Sequence, residues 1–179
     1  LVYIDPQRRI DGKTSQNKRG IYDLSQTMPN ILELLPTLKE KSPCILIKTS
    51  PFLDIDEGLR QLGDVSEVHI VEADGQCKEV LYFIDQNRKA HETQIIAANL
   101  NMHSSLKCAK KNLSSISPDF SDPQTHLFEP GPALMKSALH PFYASLNNFQ
   151  KLAPMTHLYT SDQPFDTSFG RAFEVLDIL

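Results

Sequence analysis

Cys44-Ile45-Leu46-Ile47, followed at once by Lys48-Thr49-Ser50-Pro51-Phe52-Leu53-Asp54, decides the fold. Four apolar residues in succession lack the alternation of a half-solvated strand. They predict a strand covered on both faces in a parallel sheet. The polar, proline-containing turn that ends the run leads to Ile55, Leu59 and Leu62, a short helix face with Asp54 or Asp56 as its cap. Upstream, Ile31, Leu34, Leu35 and Leu38 recur at i, i+3, i+4 and i+7 and mark another helix. Thr27 is placed to cap that helix, and Pro29 is tolerated in its first turn. Pro36 removes an intrahelical bond and predicts a kink or a split. Further upstream, Leu1-Val2-Tyr3-Ile4 reads as a strand that must stop at Asp5-Pro6, because proline has no ladder donor. Downstream, residues 65–71 and 78–84 read as strands joined by the hairpin pair Asp74-Gly75. Strand, helix, strand, helix, strand and hairpin strand together predict an α/β fold, a doubly wound sheet ending in a β-hairpin.

After Asp85 the pattern changes. Residues 86–92 read as a linker, 93–99 as a strand, 106–113 as a basic helix and 114–125 as a loop. His126-Leu127-Phe128 is a short strand before Glu129-Pro130-Gly131-Pro132. Prolines 132 and 141 can each begin a helix, to Leu139 and Leu146 respectively. Residues 156–160 and 171–178 read as strands. This second region is a small α+β module. Residues 7–26, polar and basic with Gly12 and Gly20, read as a long mobile loop.

The chain has 179 residues, 40% of them hydrophobic, and no apolar run of membrane-spanning length. It begins without an initiator Met and both of its ends fall inside apolar runs, which predicts an internal piece of a longer protein. Cys44, Cys77 and Cys108 match no zinc spacing and no disulfide framework. They read as buried thiols of a reducing cytoplasm. The six histidines show no metal spacing, so no metal is expected. A net charge of −4 argues against broad nucleic-acid coating but leaves room for a local basic patch. Arg8, Arg9, Lys13, Lys18 and Arg19 form such a patch, or else a solvated loop.

Ligands of open α/β sheets bind beyond the carboxyl ends of the strands. Asp5-Pro6 ends one parallel strand and Lys48-Thr49-Ser50 the next, so both point into one crevice. A carboxylate or carbonyl there can accept the N–H bonds of an amino group and aim its lone pair. The same Asp-Pro pair also reads as a plain strand-ending turn. Lys48 and Ser50 can contact a polar or anionic substrate, while Ser50-Pro51 can equally be a turn and Asp54 a cap. Glu129-Pro130 is either a rigidly placed functional acid or the seat of the following helix.

In combination these strings resemble the bacterial class I S-adenosylmethionine (SAM)-dependent methyltransferases that carry a THUMP-like C-terminal domain. The resemblance rests on Val2-Tyr3-Ile4-Asp5-Pro6-Gln7-Arg8-Arg9, on residues 47–55, on Glu67-Val68-His69-Ile70-Val71 and on Cys77-Lys78-Glu79-Val80-Leu81. Residues 127–136, centred on Glu129-Pro130, also fit, as do residues 157–162 and 169–173. It implies a Rossmann-like catalytic half over residues 1–88, a ferredoxin-like module over 89–168 and the start of a THUMP-like domain over 169–179. It implies Asp5 and Pro6 as the catalytic, acceptor-side pair, with Arg8, Arg9, Lys48 and Ser50 on the substrate. Gln7 stands where many amino-methyltransferases carry a second proline, which leaves the acceptor atom open. The glycine-rich loop and the acid that hold SAM would precede Leu1. The THUMP-like resemblance points to structured RNA, such as tRNA, as partner. Two other readings stay open: a non-catalytic binding module on the same fold, and a methyltransferase for protein or small molecules. With half of such a sheet missing, Leu1–Ile4 would be an edge, and self-association there is expected, with no membrane partner.

Overall fold

The structure, a computed structural model, describes residues 1–8, 23–88 and 92–178. In chain order it contains β1 (Val2–Ile4), β2 (Gln7–Arg8), β3 (Thr27–Met28), α1 (Ile31–Lys41), β4 (Cys44–Thr49), α2 (Ile55–Leu62), β5 (Glu67–Ala73) and β6 (Gln76–Asp85). There follow β7 (Gln94–Asn99), β8 (Ser104–Ala109), α3 (Lys110–Leu113), β9 (His126–Pro130), α4 (Pro132–Ser137), α5 (His140–Leu146), β10 (Gln150–Lys151), β11 (Tyr159–Ser161) and β12 (Gly170–Glu174). Among the described residues these strands make a six-stranded sheet in the order β1-β4-β6-β5-β7-β8, a four-stranded sheet in the order β10-β11-β9-β12, and the short β2-β3 ladder.

In the large sheet β1, β4, β5 and β7 run parallel, while β6 and β8 run against them. The Asp74-Gly75 turn has positive φ at both residues, 52° and 66°, the geometry that suits the right-handed twist of a two-residue hairpin. It folds β6 back between β4 and β5. Register then gathers Ile45, Ile47, Val68, Ile70, Val80, Tyr82, Ile84, Ile95 and Ala97 on one face, each 0–1% exposed. α2 lies on this face, where Gly58 leaves room for the Tyr82 ring and hydroxyl that any Cβ would strike. The other face is only half covered at Leu46, Leu81 and Phe83. The double coverage expected of the Cys44–Ile47 run is therefore one full layer and one partial layer, with burial alternating along β4.

Other local expectations shift for physical reasons. Pro36 does not split α1, which is continuous over Ile31–Lys41. Asn30 caps that helix through the Leu32 N–H, while the Thr27 hydroxyl accepts from the Ile31 N–H at 3.2 Å. Asp54, not Asp56, caps α2, accepting from the Glu57 N–H at 3.0 Å. The loop expected over 7–26 is closed at its base by the β2-β3 ladder, and Leu24 is buried at 1% exposure with its N–H on Gln61. Residues 9–22 lie outside the described residues. The basic helix expected at 106–113 is a strand to Ala109 and only one turn after it, because pairing with β7 satisfies its backbone. Residues 94–109, grouped from sequence with the second module, thus extend the first sheet. β12, grouped with a third domain, is an edge of the small sheet on β9.

Glu72, 5% exposed near the end of β5, joins the two regions. Its Oε2 accepts the N–H of Ala133 in the first turn of α4 at 2.8 Å, and its Oε1 accepts from Asn99 Nδ2 at 3.3 Å. A carboxylate there also complements the positive end of the helix. Gly131 permits the approach: a Cβ would sit 2.9 Å from the Phe169 carbonyl and 3.2 Å from Glu72 Oε2. Behind α4 and α5, Phe128, Tyr143, Phe149 and Phe165 form the aromatic core of the small sheet, with ring centroids 4.2–6.0 Å apart. Glu72→Ala strands the buried Ala133 N–H and Asn99 amide. Urea unfolding is expected to show a loss of about 1–3 kcal/mol for that variant, and Glu72→Gln a smaller one.

Candidate functional site

Parallel pairing of β1 with β4 sets Ile4 opposite Ile47, so Asp5, one residue on, lies beside Lys48. The Lys48 ammonium donates to Asp5 Oδ2 at 2.8 Å and to Glu79 Oε1 at 3.4 Å. This three-membered chain bridges β1, β4 and β6 at the carboxyl edge of the sheet. Its members are partly exposed, Asp5 at 48%, Glu79 at 37% and Lys48 at 27% of the side chain. The bond to Asp5, reinforced by the charge of Glu79 and only partly opposed by burial, raises the pKa of Lys48 above its ordinary value.

A cleft of about 310 Å³ opens over this chain. Asp5, Pro6, Lys48, Thr49, Ser50, Pro51 and Leu53 line it from the two parallel strand ends. Leu24 and Thr27 close one side, and Lys78 and Glu79 come from β6. The wall at residues 50–54 is a built turn: Ser50 accepts the Phe52 N–H on its hydroxyl at 3.3 Å and the Leu53 N–H on its carbonyl at 3.1 Å. Thr49 is fixed from behind, donating to the Val80 carbonyl at 3.1 Å.

Of the residues singled out from sequence, Asp5, Pro6, Lys48 and Ser50 share this one cleft. Arg8 lies in β2, its backbone opposite Thr27. Arg9 lies outside the described residues. Glu79 and Lys78 escaped the sequence reading, although their signal was present. A two-residue hairpin returns the start of its second strand to the edge where the first one ends. A register shift between Val71 and Glu72 leaves Lys78 as the extra residue of a β-bulge, the kind of irregularity that re-aims a side chain. Glu129 is not in the cleft. It pairs with Arg171, Nε to Oε2 at 2.9 Å, across β9 and β12, so the Glu129-Pro130-Gly131-Pro132 segment seats α4.

Other charged and titratable groups lie away from this cleft. Glu67 gathers His69, Lys107 and Arg88 at 3.0, 3.0 and 3.4 Å, but these are mutual partners at the opposite end of β5. His140 bonds Tyr159 through Nδ1 at 2.7 Å, and burial pushes its pKa down to about 4. Among the described residues no group of three or more His, Cys, Asp and Glu is placed to hold a metal ion. The cysteines are free, and burial raises the thiol pKa of Cys77 and Cys108.

The whole architecture recurs in a solved protein. A crystal structure of a “putative methyltransferase” from Porphyromonas gingivalis W83 matches 98% of this chain at 29% identity and a TM-score of 0.83. The chain spans 43% of the length of that protein. A family model for a ferredoxin-like domain matches residues 126–167, the segment that runs from β9 through α4, α5, β10 and β11. No curated protein matches. The chain is thus a mixed α/β protein with a segment that matches a ferredoxin-like domain, similar in fold and sequence to a protein described as a “putative methyltransferase”. Among its described residues no helix is long and apolar enough to cross a membrane.

The Asp5–Lys48 bond gives a direct check on the site. Asp5→Asn removes the largest cause of the raised Lys48 pKa and leaves only Glu79. In an NMR titration, Lys48 is expected to lose its proton at lower pH in that variant than in the wild type. The pair's contribution to stability is full below the ordinary lysine pKa and is lost as pH rises through the raised value. A Lys48 titration unmoved by Asp5→Asn would dissolve the pair.

Proposed function

We propose that this chain carries the acceptor side of a SAM-dependent methyltransferase that acts on an amino group of a base in structured RNA. The observation that carries the proposal is the placement of Asp5-Pro6 at the carboxyl end of a parallel strand, inside a cleft, on a fold shared with a methyltransferase. The strand order β1-β4-β6-β5 supports its reading as the second half of a doubly wound, Rossmann-like sheet. The described residues fit one half of such a site. Asp5, Lys48, Ser50 and Glu79 offer polar groups for an acceptor. By contrast, no glycine-rich turn among them follows a parallel strand, and this reading assigns the cofactor's cradle to residues outside those described.

SAM, when bound, supplies an electrophilic methyl group on sulfur. The chain's own residues orient the group that receives it. Asp5 can accept an N–H of the acceptor amine and set its lone pair in line, and Pro6 stiffens the turn that holds Asp5. The acceptor nitrogen, once it carries the methyl group, would hold a surplus proton, which the Asp5 carboxylate or solvent would take. Arg8, Arg9 and Lys48 supply positive charge for phosphates of the substrate, and Ser50 a hydroxyl. The protein is assigned in this reading to the cytoplasm. The outer edge of β1, where Leu1 is 77% and Tyr3 54% exposed, is assigned as an association surface.

Two measurements test the reading. In the full-length natural protein, with total tRNA as acceptor and labelled SAM as donor, Asp5→Ala is expected to lower kcat by about 10²-fold or more with the fold intact by circular dichroism. Transfer at the wild-type rate would remove Asp5 from the mechanism, and no transfer by the wild type to any RNA would end the RNA assignment. For the 179-residue chain by itself, calorimetry is expected to give no saturable SAM binding; tight binding would place the cradle within it.

A further inference from the structure

One wall of the cleft is held from behind by the second module. α4 lies in the ferredoxin-like segment, more than eighty residues beyond the wall of the cleft in sequence. Its Lys136 nevertheless donates from Nζ to the carbonyl of Leu53 at 2.8 Å, across a partly buried contact. Leu53 is 2% exposed and its side chain lines the cleft. Its carbonyl lies between the Ser50 turn and the Asp54 cap of α2, where the chain changes direction. A backbone oxygen at such a bend has no ladder to hold it, so a donor from outside decides its orientation. The donor is itself braced, since α4 is tied to the large sheet by Glu72 through Ala133, and Gly131 just before it is held within the small module by its N–H on the Phe169 carbonyl.

We infer that Lys136 is a positioning residue of the acceptor site: from the ferredoxin-like module it fixes residues 50–54, the wall that faces Asp5. The second module is then part of the site rather than an appendage beside it. The consequence for methyl transfer rests on the proposed function; the positioning does not. An ammonium bond to a carbonyl is stronger than a neutral one and is lost entirely in Lys136→Met. Arginine keeps a charged donor at the same position, so Lys136→Arg is the conservative control.

Hydrogen exchange in the full-length natural protein reads the positioning directly. Lys136→Met, and Lys136→Gln should the first fail to fold, is expected to speed exchange at the amides of Phe52, Leu53 and Asp54 about tenfold, the factor for one charge-assisted bond. Exchange in Cys44–Thr49 and Gln76–Asp85 stays unchanged, and Lys136→Arg stays within about threefold of wild type. In the transfer assay the same Met variant raises KM for tRNA while leaving SAM affinity intact. Exchange at Phe52, Leu53 and Asp54 equal to wild type, or acceleration spread evenly over both strands, overturns the inference. So does a loss of SAM affinity equal to the loss for tRNA. If the wild-type protein transfers no methyl group, the functional reading fails and the exchange result alone decides the role of Lys136.

Discussion

The reversal at Asp74-Gly75 is the constraint on which the large sheet depends. Both residues occupy the left-handed region, which leaves few side chains suitable and makes the turn tight. A tight turn forces β6 to lie directly beside β5, and its far edge is then the only place where β4 can pair. That insertion completes the buried face, since Tyr82 and Val80 fill the space between Ile47 on one side and Val68 and Ile70 on the other. It also returns Lys78 and Glu79 to the edge where β1 and β4 end. One turn therefore sets both the packing of the core and the charge of the cleft.

Attachment of the small module follows a different logic. Burying a carboxylate is costly unless its oxygens find donors. Glu72 finds one at the start of α4 and another on Asn99, whose amide also reaches the Ser168 carbonyl at 3.1 Å. Apolar burial would hold two surfaces together at many angles. A carboxylate aimed at one helix end selects a single one. Gly131 and Gly170 remove the atoms that would prevent it, the latter where a Cβ would run into the Glu129 carbonyl and the Phe128 ring. The segment Glu129-Pro130-Gly131-Pro132 is thus explained by docking geometry, with Glu129 itself turned to Arg171.

Much of this was legible because it is local. The apolar run at Cys44–Ile47, the Asp-Gly pair and the helix period at Ile31, Leu34, Leu35 and Leu38 each report on a few neighbours in sequence, and the elements they mark exist. So does the shared cleft of Asp5 and Lys48, since consecutive parallel strands bring their ends together. What sequence could not carry was long-range pairing. Nothing in residues 104–109 distinguishes a basic helix turn from a strand until Gln94–Asn99 is beside it. Proline at 36 costs α1 one bond, but burial of Ile31 and Leu35 against the sheet outweighs that local preference. Lys136 was invisible as a site residue because its link to Leu53 joins two segments that no periodicity connects.

In the proposed function, a lysine between two carboxylates suits a site that takes up and releases an amino group. Asp5 and Glu79 without Lys48 would repel each other and draw water into the cleft. With it, a single flexible ammonium offsets one of the two negative charges and is shared between them, held at 2.8 Å by one and 3.4 Å by the other. An incoming N–H that bonds Asp5 displaces the ammonium from one partner only, because Glu79 retains it. The exchange costs far less than breaking an isolated pair, whose lysine would be left with no carboxylate. Replacing Lys48 by a rigid apolar residue would leave Asp5 accessible but unneutralised. Glu79 is therefore the reservoir that lets Lys48 guard Asp5 without blocking it, and it does so from a strand that reaches this edge only through the hairpin.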